Sequence, residues 1–214
     1  MRSLYISILF ILVSCQKSQN QSLGFEELPS FKEILSSDSI QFLEYFDSTS
    51  RIYSNYYHGF SVRVPKGWDS DRGFAKRTVF RLTNYDSGIV FSVTINKFPE
   101  QEDIPKSIWG PLVSDSLGYV RDFKRGIRDQ VNSDILGLEL IPIYYNNLQA
   151  LKTRYHYLFR SDELEYLMFS EVIQFFRDGN IYTIGLIIPK EFIDRDNRYF
   201  SLKNNFNLIP IYYE

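Results

Sequence analysis

Between residues 60 and 98, apolar side chains recur at every second position in three separate runs, and this most narrows what the chain can fold into. Phe60, Val62 and Val64 alternate with Ser61 and Arg63; Thr78, Phe80 and Leu82 align in 77–84; Ile89, Phe91, Val93 and Ile95 align in 89–98. Successive side chains of an extended backbone point to opposite faces, so each run reads as a strand with one buried face. Pro65-Lys66-Gly67 and Tyr85-Asp86-Ser87-Gly88 supply turns between them. The spacing predicts an antiparallel meander of three strands.

The period then changes. Trp109, Val113, Leu117, Val120, Phe123 and Ile127 follow one another at three- and four-residue steps. This is the pattern of an amphipathic helix, with Pro111 near its start and Asp122, Lys124 and Arg125 outside. Residues 135–145 read as an extended segment interrupted by Pro142. Residues 146–161 alternate at Tyr155, Tyr157 and Phe159. Residues 163–189 form a hairpin turning at Asp178-Gly179-Asn180, and their near-continuous apolar character places both strands near the sheet centre. Phe192, Tyr199, Phe200 and Phe206 suggest a closing helix, while Phe31, Ile34, Leu35, Ile40, Leu43 and Phe46 suggest one or two short helices upstream. The fold class expected is α+β, an antiparallel sheet flanked by helices as an α/β/α sandwich. It comprises a helical lead-in at 25–50 and a single globular domain at 51–214.

The N-terminus reads differently. Arg2 precedes an apolar run from Leu4 to Val13, then Ser14 and Cys15, the one cysteine of the 214-residue chain. One cation, about ten apolar residues and a small residue match a secretory signal peptide; the run is short of the ~20 residues a spanning helix needs. Leu12-Val13-Ser14-Cys15 resembles the lipobox of bacterial lipoproteins. That resemblance implies cleavage after Ser14, acylation of the Cys15 thiol and a membrane held through a lipid anchor. Polar residues 15–24 would then be a flexible tether, and the address is the bacterial cell envelope, with the outer membrane favoured because Gln16 follows the cysteine. Two or more acyl chains hold a protein stably on a bilayer.

The opening strand Tyr57-His58-Gly59-Phe60-Ser61-Val62-Arg63-Val64-Pro65-Lys66-Gly67-Trp68 and the later Gly179-Asn180-Ile181-Tyr182 resemble the PsbP-like fold. The resemblance spans about residues 50–208. It implies an antiparallel sheet sandwiched by helices and a lipoprotein setting, and it carries over no catalytic residue.

Chemistry is sparse. Nucleophilic catalysis needs a Ser or Cys beside a His held by a third group. The histidines, His58 and His156, read as turn or surface residues; His156 shares parity with Arg154, opposite Tyr155 and Tyr157. No metal-ligand spacing is present, and Asp194-Arg195-Asp196-Asn197 lacks the rest of a calcium loop. Glu26/Glu27 and Glu163/Glu165 read as solvent-facing charges. A net charge of −2 gives no reason to expect a nucleic-acid partner, which would favour a strongly basic face. The remaining ligand-binding candidates are aromatic: Tyr56, Tyr57, Trp68, Tyr144 and Tyr145. The expected function is a non-catalytic binding or scaffold module of the envelope, without cofactor or metal, engaging an envelope protein or a glycan. The alternative is a carboxylate-based hydrolase or carbohydrate-binding protein.

Overall fold

Two antiparallel sheets face one another across an aromatic core. The computed structural model describes residues 44–73, 77–97, 108–109, 116–131, 133–161, 164–195 and 197–211. Within them Glu44–Asp47 (β1), Ile52–Asn55 (β2), Phe60–Arg63 (β3) and Phe206–Leu208 (β11) form a small sheet in the order β1-β2-β3-β11. Asp69–Asp71 (β4), Thr78–Asn84 (β5), Ile89–Lys97 (β6), Ile135–Tyr145 (β7), Leu148–Ser161 (β8), Leu164–Arg177 (β9) and Asn180–Pro189 (β10) form the large one, in the order β4-β5-β6-β10-β9-β8-β7. The helices among the described residues are Ser116–Val131 (α1), Lys190–Arg195 (α2) and a 3-10 helix at Asn197–Asn205.

This overturns both the α+β class and the α/β/α sandwich: the described residues are mostly strand, in two antiparallel sheets. One face of the large sheet is covered by a second sheet with α2 and the 3-10 helix beside it, not by a helical layer, and the meander is split between the two sheets. β3 pairs with β2 and β11, whereas β5 and β6 belong to the large sheet. Alternation reports which face of a strand is buried, not which sheet it joins. The expected closing helix becomes α2, the 3-10 helix and then β11, where Phe206 is buried against β3. Phe46, counted in the helical lead-in, lies in strand β1. Residues 1–43, with Cys15 and the tether, lie outside the described residues, as do Pro111 and Val113.

Other expectations hold. β10 is the central strand of the large sheet and is buried along nearly its whole length, with β9 beside it. Asp178 and Gly179 both take positive φ (49° and 72°), and Arg177 pairs with Asn180. This is a two-residue hairpin whose twist suits the strands, and Asn146-Asn147 repeats it between β7 and β8. The interruption expected at Pro142 does not occur: β7 runs through it and pairs it with Leu151, because an edge strand can spare the missing N–H.

The core between the sheets is built from rings. Tyr53 stacks on Phe80 at 4.4 Å, Phe60 on Phe206 at 5.5 Å and Phe175 on Tyr182 at 5.1 Å. Each such fully buried ring contributes ~2–3 kcal/mol. Polar clamps fix the small sheet against the large one. The Tyr182 hydroxyl donates to the His58 carbonyl at 2.6 Å, and Arg177 donates to the carbonyls of Gly59 and Ile209 at 2.6 and 2.7 Å. Gly59 is needed there: its φ is 63°, and a Cβ would collide with Ile211.

On the opposite face of the large sheet, α1 lays Phe123 and Ile127 against Tyr155, Tyr157, Met168 and Val172. The inward positions Phe123 and Ile127 follow the predicted spacing. Ile108 is buried beside Leu151, and the Trp109 indole donates to the Ala150 carbonyl at 2.8 Å.

Candidate functional site

Strand β8 sends Lys152, Arg154 and His156 to the face that meets the small sheet, opposite Ile173, Glu171 and Phe169 of β9. Glu171 is the chemical centre. Its side chain is 2% exposed, and both oxygens are engaged: Arg154 Nε donates to Oε2 at 2.7 Å, and Lys203 Nζ donates to Oε1 at 2.6 Å. Burial works against the charged carboxylate, but the two hydrogen bonds and the charges of Lys203 and Arg154 outweigh it, so its pKa is lowered. Lys203 belongs to the 3-10 helix, and its own carbonyl accepts the Tyr145 hydroxyl at 2.6 Å. The ion cluster thus fastens the 3-10 helix to the sheet. Burial and the nearby cation Arg154 lower the pKa of Lys152 on the same face.

Beside this cluster the face opens into a groove of about 550 Å³. Arg154, His156 and Glu139 supply its polar groups, and Phe169 and Phe200 supply apolar wall. The His156 ring meets Phe169 edge-on at 5.2 Å, and Phe169 meets Phe200 edge-on at 5.4 Å. Gly137 shapes the rim. It has φ of 67° and stands where the β7–β8 register slips, with Leu136 opposite His156 but Leu138 opposite Tyr155. An extra residue in the left-handed region is a β-bulge. It sets Glu139 across from Arg154, with a long 3.9 Å approach between carboxylate and guanidinium.

His156 lies on the less buried face, as its parity suggested, but reading it as an ordinary surface residue missed the groove. The signal was available: if 163–189 is a hairpin and the preceding strand turns into it near 162, Arg154 falls opposite Glu171 and His156 opposite Phe169. His58 sits in the turn before β3, where burial lowers its pKa against the opposing influence of Glu44.

The aromatic candidates separate. Tyr144 is 70% exposed and meets Trp109 edge-on at 5.4 Å; Tyr57 is 59% exposed and meets His58 edge-on at 4.7 Å. Both lie at the end of the molecule that carries the 146–147 and 178–179 turns. Tyr145 instead packs into the core against Phe175 and Phe206. Tyr56 is half-buried, and Trp68 packs on the core beside β4, toward the opposite end. Of the carboxylates, Glu165 pairs with exposed Arg160 at 2.7 Å, while Glu26, Glu27 and Glu163 lie outside the described residues. Among the described residues, no group of three or more His, Cys, Asp or Glu could hold a metal ion, and no helix is long and apolar enough to cross a membrane.

No family model matches this chain, and no curated protein matches it. Among solved structures it is similar to the solution structure of cyanobacterial PsbP (CyanoP) from Synechocystis sp. PCC 6803. The two share 15% identity over 77% of this chain and 91% of that chain, with a TM-score of 0.48. At that likeness no residue, ligand or partner transfers to this chain.

Proposed function

We propose that this protein is a lipid-tethered module of the bacterial envelope that binds a partner through the β7–β9 groove and catalyses no reaction. The tether reading rests on Leu12-Val13-Ser14-Cys15, with Cys15 the acylated residue, and the outer membrane is the favoured address. The observation that carries binding over catalysis is Glu171. A general acid at neutral pH needs a raised pKa and a free oxygen; Glu171 has a lowered pKa, and both oxygens are held by cations. What the groove offers is recognition, from a guanidinium, an imidazole and a carboxylate set against two phenylalanine rings.

Two measurements test this. Radiolabelled palmitate should enter the intact chain and not Cys15→Ala, and only the intact chain should sediment with membranes. An envelope component retained by the immobilised protein should be lost on combining His156→Ala with Phe200→Ala. Retention indifferent to that pair, or hydrolysis of a glycoside that Glu171→Gln abolishes, overturns the reading. A second reading, glycan binding, draws on the exposed Tyr57 and Tyr144 at one end of the molecule, since sugars stack on such rings. Tyr144→Ala would then weaken retention on a glycan column more than the groove variants do.

A further inference from the structure

We propose that the outer face of α1 docks on the surface of an anionic phospholipid bilayer. Arg121, Lys124, Arg125 and Arg128 follow one another at three, one and three residues, which at 3.6 residues per turn gathers all four on one side of the helix. All four are exposed; the Arg121 and Arg125 side chains are 76% and 61% accessible. The opposite side is committed to the core through Phe123 and Ile127. The described apolar side chains Phe123 and Ile127 are thus spent on the core, and the attraction of the cationic side to a membrane is electrostatic, at the level of the headgroups.

A groove of about 630 Å³ runs between this face and the start of β7, floored in part by Ile135. Among the described residues, fewer acids than cations accompany this face. Asp122 is shared by Arg125 at 3.0 Å and Arg121 at 3.6 Å, Asp134 stands at the groove, and Asp129 belongs to the same helix. The whole chain is net −2, so this concentration of positive charge runs against its overall balance. A uniformly basic protein would suit any polyanion; a local stripe on an otherwise acidic protein suits a flat anionic surface held close by. That closeness rests on the tether reading. Cys15 is 29 residues before Glu44, so an extended tether spans at most ~100 Å, and α1 stays within reach of the bilayer.

The test uses the full chain carrying Cys15→Ala, which removes the lipid, and vesicles of phosphatidylcholine alone or with 30% phosphatidylglycerol. Binding to pure phosphatidylcholine gives the baseline for the uncut apolar leader. The phosphatidylglycerol vesicles should bind more protein, and 0.5 M salt should remove the excess. Lys124→Gln with Arg125→Gln should cut that excess binding ~10–30-fold, with an unchanged melting curve showing that the fold is intact. Equal binding to the two vesicle types, or binding unaffected by the double variant, overturns the proposal. So does equally tight binding to heparin or a short oligonucleotide, which would mark another polyanion as the partner. Failure of palmitate incorporation in the intact chain would remove the tether and leave the vesicle result standing on its own.

Discussion

On the face of the large sheet that meets the small one, the buried carboxylate of Glu171 has a cation on each oxygen. On the opposite face, Ser92, Asn96 and Thr153 lie just as deep, yet their side-chain polar atoms find no hydrogen-bond partner among the described residues. The strands are shared: Thr153 is the neighbour of Arg154 along β8. The difference follows from charge. An ionised carboxylate taken out of water without partners costs several kcal/mol, more than a marginally stable domain tolerates. A neutral hydroxyl or amide costs ~1–3 kcal/mol, which surrounding apolar burial absorbs. The first face is therefore held by its ion cluster, and the second keeps these three unpaired side chains in spite of their cost.

The sharpest way to break that comparison is to take one cation from Glu171. Lys203→Met should lower stability by ~3 kcal/mol in urea titrations, because a buried carboxylate is left half-compensated and the 3-10 helix loses its fastening. Changing all three members to apolar residues (Arg154→Leu, Glu171→Leu and Lys203→Met) should recover most of the loss, since the penalty lies in the unpaired charge. A single-variant loss below ~0.5 kcal/mol would place the cluster in water and erase the contrast between the faces.

A smaller effect sharpens it through pH. The folded pKa of Glu171 lies below its ordinary value of 4.5. The unfolded chain therefore takes up the proton first as pH falls, and stability declines with it. Glu171 contributes fully above pH ~4.5, and its contribution is lost as pH drops through the lower, folded pKa. The stability gap between the native protein and Glu171→Gln should be widest near pH 6 and narrow toward pH 3. A gap that stays constant across that range would deny the carboxylate its charge-dependent role.

Which parts of this contrast were legible in the sequence depends on range. The Asp178-Gly179 turn, the inward Phe123 and Ile127, and the central position of β9 and β10 follow from local periodicity and composition. The second sheet did not show, because β1, β2 and β3 are four residues each and give only two positions per face. β11 is shorter still, and it pairs with a strand some 140 residues earlier. The groove was half legible. Hairpin register could have set Arg154 opposite Glu171, but Lys203 arrives from the 3-10 helix, and the Gly137 bulge that places Glu139 leaves no mark beyond one glycine. The unpaired polar row was illegible, since serine, threonine and asparagine at outward parity read as solvent-facing.

That row gives the smallest effect and the closest test of the difference between faces. Thr153 is fully buried, and its hydroxyl has no hydrogen-bond partner among the described residues. Thr153→Val keeps the branched shape, exchanges the hydroxyl for a methyl and should leave stability unchanged or raise it by up to ~1 kcal/mol. Asn96, with both amide atoms unpaired, should behave alike on change to Leu, less the strain of refitting a branched side chain in a packed layer. The substitution that is ordinarily disruptive, polar to apolar at a buried strand position, is here expected to be neutral. The apolar-for-polar exchange at Glu171 alone, leaving Arg154 and Lys203 without their carboxylate, is expected to cost stability. A loss above ~1 kcal/mol for Thr153→Val would mean that the hydroxyl is solvated after all, and that the two faces differ in their access to water rather than in the charge they bury.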